Sequence, residues 1–461
     1  MNRLEAELYR APLALSSVTD MHDIAVYQQR RSKLGSAMAR GVAFIPTAAE
    51  RFRNRDSLFP FRFDSYFHYL TGFPEPEAVL VLVAGAQPRT LLFCREKDLE
   101  REIWDGFRFG PDAAKERFGV DEAHPIGKLD ELAPTLMEGQ PTVFCSIGAD
   151  PAWDARVTGW LNRVRERVRT GASAPDEIRD VRSLLDEMRL FKGDEEIALM
   201  RRAARIAAAA HVRAMKMVRP GLSENEVEAE FLHEFRRQGA QAPAYTPIVA
   251  AGANACVLHY ARNDASLRDG ELLLIDAGCE LDGYASDITR TFPVSGRFSP
   301  VQRDIYELVL AAQRAAMDAV KPGNAWDEPH EAAVRVLARG FIDLGLLKGD
   351  LDQAIESGDY KRFYMHRTGH WLGLDVHDAG DYKRDGRWRP LEPGMVLTVE
   401  PGCYIRPADD VPDRFWNIGV RIEDDVLVTP TGYEVLTSDA PKQVEEIEAL
   451  MDAASDRADA A

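Results

Sequence analysis

Residues 270–296 read GELLLIDAGCELDGYASDITRTFPVSG, and this stretch decides the fold of the second half of the chain. Alternation along an extended strand puts Leu272, Leu274 and Asp276 on one face, so that an apolar face ends in a carboxylate. A buried carboxylate without a partner is costly, and a bound metal ion would remove that cost. The pattern predicts a hairpin that brings Asp276 to one point with Asp287, eleven residues later.

The same arrangement returns in MVLTVEPG and GVRIEDDVLV, residues 395–402 and 419–428. Here Glu400 ends an apolar strand, and alternation places Glu423 on one face with Arg421. Four acids at the ends of four strands are more than one divalent ion needs. They suit two ions about 3.5–4 Å apart, with some carboxylates shared between them.

A weak internal repeat surrounds these strands. Residues 213–239 and 315–340 each read as a helix, a break with the pattern Val-basic-Pro-Gly, and a second helix. Ser223 and Glu226 predict a capping box at the start of one of these helices. Two α-α-β-β units related by a pseudo-twofold axis would bring the four acids together in the middle of an α+β domain, which we assign to residues 189–461.

The first part of the chain has a different pattern. Short apolar runs at 78–85 and 89–94, with a similar one near 134–147, have the length of strands and predict an α/β domain over residues 1–188. A chain of 461 residues is too long for one compact core, which agrees with two domains. The aromatic residues of segment 61–73 are equally consistent with a core and with a subunit interface.

Composition excludes several classes of protein. The net charge of −18 argues against a nucleic-acid partner, and the absence of any apolar run of about 18 residues argues against a membrane span. Residues 1–17 combine early acids with no apolar centre, so no secretory signal is expected. The five cysteines are odd in number and form no CxxC pairs, which favours free thiols in a reducing cytoplasm.

Histidines complete a candidate metal site. The chain has ten, of which His366, His370 and His377 fall in one short run and His259 in another segment. One imidazole with four carboxylates forms an oxygen-rich ligand set, which suits Mn²⁺ or a similar divalent ion better than a thiolate zinc site does. Four further acids are interpreted as surface or outer-layer groups: Asp375, Asp378, Asp424 and Asp425.

Several segments resemble the motifs of the aminopeptidase P family of pita-bread metallopeptidases, which are related to prolidase, methionine aminopeptidase and creatinase. The segments of the second domain are VLHYARN (257–263), ELLLIDAGCELDGYASDITRTFPVSG (271–296), HRTGHWLGLDVHDAG (366–380), LEPGMVLTVEPGCYI (391–405) and GVRIEDDVLVT (419–429). Residues 61–82 and 101–113 of the first domain also resemble this family. The resemblance covers the whole chain. It implies a pita-bread catalytic domain and an enzyme that removes the first residue from peptides with proline in second position.

The resemblance also implies how metal ions are held. Asp276 would chelate one ion, Asp287 and Glu423 would bridge both ions, and His370 and Glu400 would hold the second ion. We expect two divalent ions per subunit, with Mn²⁺ as the first choice. A hydroxide bridging them would be the nucleophile, because two metal ions lower the pKa of bound water towards neutrality.

Catalytic roles follow for three residues outside or at the edge of this ligand set. His259 and His377 would stabilise the tetrahedral intermediate and the leaving nitrogen, and His377 would also contact the substrate. Glu400 would carry a proton to that nitrogen.

Substrate contacts follow for four further residues. His366 and Tyr404 would line the proline pocket, and Arg421 would orient a carboxylate or the substrate. His366 and Arg421 are also expected to take part in catalysis. Trp104 resembles a tryptophan that reaches an active site, in a neighbouring subunit. Relatives form dimers and tetramers, so we expect a homodimer or homotetramer.

Two positions depart from the family pattern. Arg367 stands where relatives usually have a small residue, and Cys403 stands where an aliphatic residue is common.

The closest alternative function is that of a prolidase, which uses the same ligands but cleaves only Xaa-Pro dipeptides. Some related enzymes also hydrolyse organophosphate esters. A creatinase would have no use for the metal ligands, a methionine aminopeptidase would lack the large first domain, and a binding module without catalysis would usually lack a ligand.

Overall fold

The computed structural model describes residues 24–459, which form two compact units that divide between Met188 and Arg189. Segment 1–17, considered above for a secretory signal, lies outside the described residues. No helix within residues 24–459 has both the length and the apolar character needed to cross a membrane. All five cysteines are free and buried.

The first unit is built on a mixed six-stranded sheet. Its strands, in spatial order, are Glu122–Pro125, Arg89–Cys94, Val79–Ala84, Gly41–Pro46, Thr142–Cys145 and Glu177–Asp180. The longer helices and helical turns around it are Ile24–Met38, Ser65–Thr71, Leu99–Asp105, Gly110–Phe118, Leu129–Met137, Pro151–Glu166 and Arg182–Leu190. A small hairpin joins Phe52–Asn54 to Ser57–Leu58.

Hydrophobic burial explains this sheet. Every residue of Val79–Ala84 is buried, as expected for an apolar run that becomes a central strand. The sequence did not predict the edge strand Glu177–Asp180, because its residues are charged and mostly exposed. In segment 61–73, Phe67 and Phe73 are fully buried, so these aromatic side chains belong to the core of the unit.

The second unit contains two helix pairs. Asp194–Met217 is followed by Glu224–Arg237, and Pro300–Asp318 is followed by Glu328–Asp343. The predicted capping box is confirmed, because the Ser223 backbone N–H donates to the Glu226 carboxylate at 2.8 Å. Two further helices are Leu351–Ser357 and Val444–Asp459.

Each helix pair is followed by a three-stranded antiparallel sheet. The first sheet has the order Ile248–Ala251, Leu272–Asp276, Thr289–Pro293, and the second has the order Val396–Val399, Asp424–Thr429, Gly432–Val435. Shorter paired strands are Ala242–Pro243, Cys279–Leu281, Tyr284–Ala285, Lys383–Arg384, Arg387–Trp388, Gly402–Ile405 and Ile418–Arg421. The duplicated α-α-β-β order agrees with the repeat in the sequence.

The acids lie at the ends of these strands, and one detail of the prediction is corrected. Asp276 ends its strand opposite Thr289, so Asp287 precedes the partner strand by two residues. Residues 419–428 do not form one strand, because the chain leaves the ladder between Arg421 and Asp424. Glu423 therefore sits in this interruption, so the prediction of one continuous strand is wrong, although Arg421 and Glu423 line the same cavity.

The two halves meet beside the acids. The Glu423 backbone N–H donates to the Thr289 carbonyl at 3.1 Å, and the Thr291 hydroxyl donates to the Arg421 carbonyl at 3.0 Å. These bonds tie the last strand of the first sheet to the interrupted segment of the second half. The acids of both halves consequently face one cavity.

Candidate active site

A cavity of about 720 Å³ lies in the second unit. Its wall includes nine of the predicted site residues: His259, Asp276, Asp287, His366, His370, His377, Glu400, Arg421 and Glu423. Apolar side chains such as Leu258 and Val376 complete the lining. The volume falls within the usual range of about 300–1,000 Å³ for pockets that bind small molecules.

Three predicted ligands form the tightest group. Asp287, His370 and Glu423 each offer one ligand atom, and these atoms lie within 4.8 Å of one another. His370 Nε2 is 3.5 Å from Asp287 Oδ2 and 3.9 Å from Glu400 Oε1. Three residues far apart in sequence thus surround one point, with a fourth beside it.

The ring of His370 is oriented for ligation. Its Nδ1 lies 2.9 Å from the Trp371 carbonyl, which accepts only from a protonated nitrogen. The carbonyl therefore fixes a proton on Nδ1, and Nε2, which faces the carboxylates, is the nitrogen that would bind a metal ion. A hydrogen bond of this kind on the distal nitrogen is the common device for orienting a metal-binding histidine.

Electrostatics distinguish this cluster from an ordinary polar pocket. Burial raises the pKa of Glu423 well above its ordinary value, and the charges of Asp287 and Glu400 raise it further. Burial, with the neighbouring carboxylates, raises the pKa of Glu400 to about 7 despite the opposing effects of His370 and Arg421. Burial lowers the pKa of His370, but the hydrogen bond and charge of Asp287 outweigh it and raise the value to about 9. The repulsion among the carboxylates and their attraction for the protonated His370 both indicate a site built to hold positive charge.

Asp276 is held by two partners that orient its oxygens. Tyr245 Oη lies 2.5 Å from Oδ1 of Asp276 and 2.5 Å from Oδ1 of Asp287. Arg421 Nη2 donates to the other oxygen of Asp276 at 2.6 Å. This contact agrees with the prediction that Arg421 orients a carboxylate, and the carboxylate that it contacts is that of Asp276.

Glu423 and Asp287 also have outer contacts. The Thr289 hydroxyl donates to Glu423 Oε2 at 2.6 Å, and Arg421 Nε donates to the Thr289 oxygen at 3.2 Å. The Asp287 backbone N–H donates to Asp425 Oδ2 at 3.1 Å. These contacts fix the two carboxylates at the centre of the cluster.

A second chain of contacts leads away from the acids. His366 Nε2 lies 2.8 Å from the Tyr404 hydroxyl, and Arg421 Nη1 donates to that hydroxyl oxygen at 3.0 Å. His366 Nδ1 lies 2.8 Å from the Arg367 carbonyl and 3.7 Å from Glu400 Oε2. His366 lines the cavity, whereas Tyr404 is buried behind it and reaches it through its partners.

The other two histidines, His259 and His377, lie on the cavity wall. The rings of His370 and His377 are 4.4 Å apart at their centroids. Burial, with the charges of His370 and His259, lowers the pKa of His377. Trp104 belongs to the first unit, on helix Leu99–Asp105, where 83% of its surface is exposed, so its predicted role stays a prediction.

Sequence reasoning missed several residues of the site. Tyr245 lies in the loop after Ala242–Pro243, where no periodic pattern draws attention to it. Asp424 and Asp425 were interpreted as surface or outer-layer acids; both are buried, which excludes the surface, and Asp425 accepts from the Asp287 backbone N–H as an outer-layer acid would. Arg290 donates to Asp424 at 2.7 Å, so this acid serves a structural ion pair and not the cavity.

The donor set fits divalent metal ions. Two buried carboxylates and two half-buried ones share a cavity with one imidazole whose Nε2 points towards them. The pKa values of Asp287, Glu400 and Glu423 are raised by burial and like charge. Oxygen-rich sets with one histidine suit Mn²⁺ and similar ions. The residues that would hold the ions are those expected: Asp276, Asp287, His370, Glu400 and Glu423.

Comparison with known proteins adds independent information. Residues 198–430 match metallopeptidase family M24, and residues 27–144 match the N-terminal domain of aminopeptidase P. The chain is 48% identical over 431 residues to an Xaa-Pro aminopeptidase of Escherichia coli, a match that covers 93% of this chain and 98% of the relative.

Solved structures agree with this result. The structure is similar to that of aminopeptidase PepP from Pseudomonas aeruginosa, with a TM-score of 0.93 and 54% identity over 94% of this chain and 99% of the other. Proline aminopeptidase P II from Yersinia pestis gives a TM-score of 0.92 and 48% identity over 94% and 100% of the two chains. The fold class predicted from the sequence, an α/β domain with a pita-bread α+β domain, is confirmed.

Proposed function

Because this chain belongs to metallopeptidase family M24, we propose that it is an Xaa-Pro aminopeptidase, which releases the first residue from peptides with proline in second position. One observation carries the proposal: the five expected ligands share one cavity, in a chain whose relatives match over nearly its whole length. The enzyme is a hydrolase, and its substrates are peptides.

The proposed cofactor is a pair of divalent ions, with Mn²⁺ as the first choice. Asp287, Glu423 and His370 are the central ligands because their donor atoms lie closest together, and Asp276 and Glu400 flank them. When bound, two such ions lower the pKa of a water ligand and polarise a carbonyl oxygen. Tyr245 and Thr289 hold the carboxylates in position by hydrogen bonds of 2.5 and 2.6 Å.

The chain's own side chains have distinct proposed tasks at the peptide bond. His259 and His377 lie on the cavity wall, where their ring N–H groups would donate to the carbonyl oxygen of the bond being cleaved. Glu400, beside both His366 and His370, would carry a proton to the leaving proline nitrogen. Proton delivery matters here because a tertiary amide nitrogen must gain a proton before it leaves.

Proline recognition is assigned to the contact chain of His366, Tyr404 and Arg421. Both nitrogens of His366 have partners at 2.8 Å, so the ring is fixed and presents a flat surface to the cavity. A rigid proline ring fits a fixed imidazole better than a mobile side chain. Arg421 joins this pocket to the ligand Asp276, which couples substrate orientation to the metal site.

Three peptides test the proposal: an Xaa-Pro dipeptide, an Xaa-Pro-Yaa-Zaa tetrapeptide, and the same tetrapeptide with alanine for proline. Metal-stripped protein is assayed with and without Mn²⁺. We expect Mn²⁺-dependent release of the first residue from the proline tetrapeptide and not from its alanine counterpart. Cleavage of the dipeptide alone would favour a prolidase, and absence of cleavage with Mn²⁺ bound would contradict both. An organophosphate ester in the same assay tests the side activity.

Self-association is also proposed, as a homodimer or homotetramer. Helix Leu99–Asp105 and the loop after it expose four large apolar side chains: Leu99, Ile103, Trp104 and Phe107. Exposed apolar groups clustered in this way mark interaction sites in soluble proteins. Light scattering on the wild type and on Ile103→Glu tests this; a wild-type monomer would contradict it.

Trp104 is proposed to reach the active site of a neighbouring subunit. A cytoplasmic location is also proposed, and the free cysteines support it.

A further inference from the structure

The active-site cavity contains a cation that the reaction scheme does not use. Arg367 lines the cavity together with the acids, and its side chain is exposed. Its guanidinium carbon lies 5.0 Å from the centre of the Trp388 ring, and Lys383 Nζ lies 3.9 Å from the same ring. Stacking on an aromatic ring holds a guanidinium in a defined orientation while its donors remain available.

No carboxylate of residues 24–454 neutralises this arginine. Two acids of the same cavity already have other partners. Asp276 pairs with Arg421, and Glu400 lies beside His366 and His370. Arg367 forms no ion pair within the described part of the chain. A positioned arginine without an anion, in the wall of a binding cavity, is a candidate for binding a carboxylate of a ligand.

The position of Arg367 along the cavity indicates which part of a peptide it would meet. The amino end and the scissile bond must lie at the acidic cluster, and the proline is assigned to His366. Arg367 follows His366 directly, and its carbonyl lies 2.8 Å from His366 Nδ1. Because an extended peptide advances only about 3.3–3.6 Å per residue, the guanidinium is within reach of the first or second residue after proline.

We propose that Arg367 binds a carboxylate located one or two residues after the substrate proline, which makes this chain favour peptides that carry a negative charge there. The inference rests on the proposed function and specifies its substrates. The carboxylate has two possible sources: the free C-terminus of a short Xaa-Pro-Yaa peptide, or an acidic side chain in a longer one. The cavity is thus polarised, with acids at the amino end of the peptide and a cation at its other end.

Four peptides separate the two sources. Ala-Pro-Ala is compared with its C-terminal amide, and Ala-Pro-Glu-amide is compared with Ala-Pro-Gln-amide. We expect the charged member of at least one pair to have a kcat/KM about 2–5 times higher, the range for an exposed ion pair. The preference should shrink with added salt, because ions screen an exposed pair. A preference in the first pair assigns the C-terminus, and one in the second pair assigns the side chain.

Matched variants test the residue itself. Arg367→Ala should abolish the preference while leaving kcat/KM for the neutral peptides within about twofold, and Arg367→Lys should retain part of it. Arg414→Ala is the control, because Arg414 is also exposed and stacked on an aromatic ring, Phe415 at 4.6 Å, but does not line the cavity. Equal kcat/KM within both pairs for the wild type, or a preference that survives in Arg367→Ala, would overturn the inference.

A binding measurement keeps this test separate from that of the proposed function. Calorimetry compares Pro-Ala with Pro-Ala-amide and Pro-Glu-amide with Pro-Gln-amide, in the wild type and in Arg367→Ala, without any need for turnover. Tighter binding of a charged member, lost in Arg367→Ala, supports the carboxylate site even if no peptide is cleaved. Equal affinities within both pairs overturn it even if proline peptides are cleaved as proposed.

Discussion

The loop that carries His259 is fastened by one buried carboxylate, and this makes a quantitative prediction. Glu224 is fully buried at the start of helix Glu224–Arg237. Its Oε1 accepts from the Ala251 backbone N–H at 2.8 Å and from Asn254 at 3.0 Å. Its Oε2 accepts from the Tyr260 hydroxyl at 2.8 Å and from the Ala265 backbone N–H at 2.9 Å. Residues on both sides of His259 are therefore tied to one side chain.

The magnitude follows from these four bonds. Tyr260→Phe removes one hydrogen bond to a charged acceptor, so the free energy of unfolding should fall by about 1.5–3 kcal/mol. In Glu224→Gln one side-chain oxygen still accepts two hydrogen bonds. If the new amide group replaces Oε2, it faces the donors Tyr260 and Ala265, and loss of the bond from the Ala265 N–H alone should lower the free energy of unfolding by about 1–3 kcal/mol. Because His259 directly precedes Tyr260, kcat should also fall, by about 10-fold to 100-fold for a displaced catalytic group.

The assay combines denaturant unfolding with kcat on a proline tetrapeptide. Tyr433→Phe, on the outer strand Gly432–Val435, is the matched control and should change neither quantity. The decisive comparison uses His259→Ala: in that background Tyr260→Phe should still destabilise the protein but should no longer lower kcat. If Tyr260→Phe lowers kcat equally with and without His259, the claim that Glu224 acts through this histidine is refuted.

Further predictions concern the ligands and the ion pairs behind them. Tyr245→Phe should weaken Mn²⁺ binding by about 10–100-fold, because it removes the hydroxyl that spans Asp276 and Asp287; unchanged affinity in a calorimetric titration would be evidence against that role. Asp378→Asn should lower the free energy of unfolding by about 3–5 kcal/mol, because it leaves Arg189 and Lys192 facing a neutral group in a buried site. Burial opposes ionisation of Asp378, but the two cations outweigh it and lower its pKa below the ordinary value. On acidification, Asp378 therefore becomes protonated in the unfolded chain at a higher pH than in the folded chain. Its stabilisation of the fold is present above about pH 4 and is lost as the pH falls further. Denaturation curves from pH 7 to pH 3 should accordingly converge for the wild type and Asp378→Asn, and a constant difference would contradict this assignment.

Local patterns were sufficient for the strand ends that carry the acids. Asp276 and Glu400 stood out because each follows an apolar strand, and the capping box of Ser223 and Glu226 located a helix start. The strand pattern also pointed to Glu423, and the family resemblance singled out His370 among four histidines; the structure brings both into the cavity. These features are encoded within a few residues of sequence, which is why they could be recognised.

Other features depend on partners that are distant in sequence. Glu224 is an acid in the first turn of a helix, where acids are common, and its partners include Tyr260 and Ala265, 36 and 41 residues away. Asp378 was interpreted as a surface or outer-layer acid, but its partner Arg189 lies 189 residues earlier. No local period marks such pairs, because burial is decided only when the helices and sheets assemble.

The interruption at Glu423 illustrates a different limit. Residues 419–428 alternate well enough for a single strand, and only the crossing of the Thr289 segment breaks the ladder between Arg421 and Asp424. Glu423 lies in the break and lines the cavity, as Arg421 does, whereas Asp424 pairs with Arg290. Tertiary contacts thus override the strand pattern at the point where the site is formed.

The central claim, that five residues of one cavity hold two metal ions, is tested most directly by counting bound Mn²⁺. Metal-stripped wild-type protein, His370→Ala and the control His233→Ala, an exposed histidine on helix Glu224–Arg237, would be titrated with Mn²⁺ and analysed for bound metal. We predict two ions per chain for the wild type and the control, and weaker or fewer ions for His370→Ala. No tight binding to the wild type, or identical binding by His370→Ala, would contradict the account.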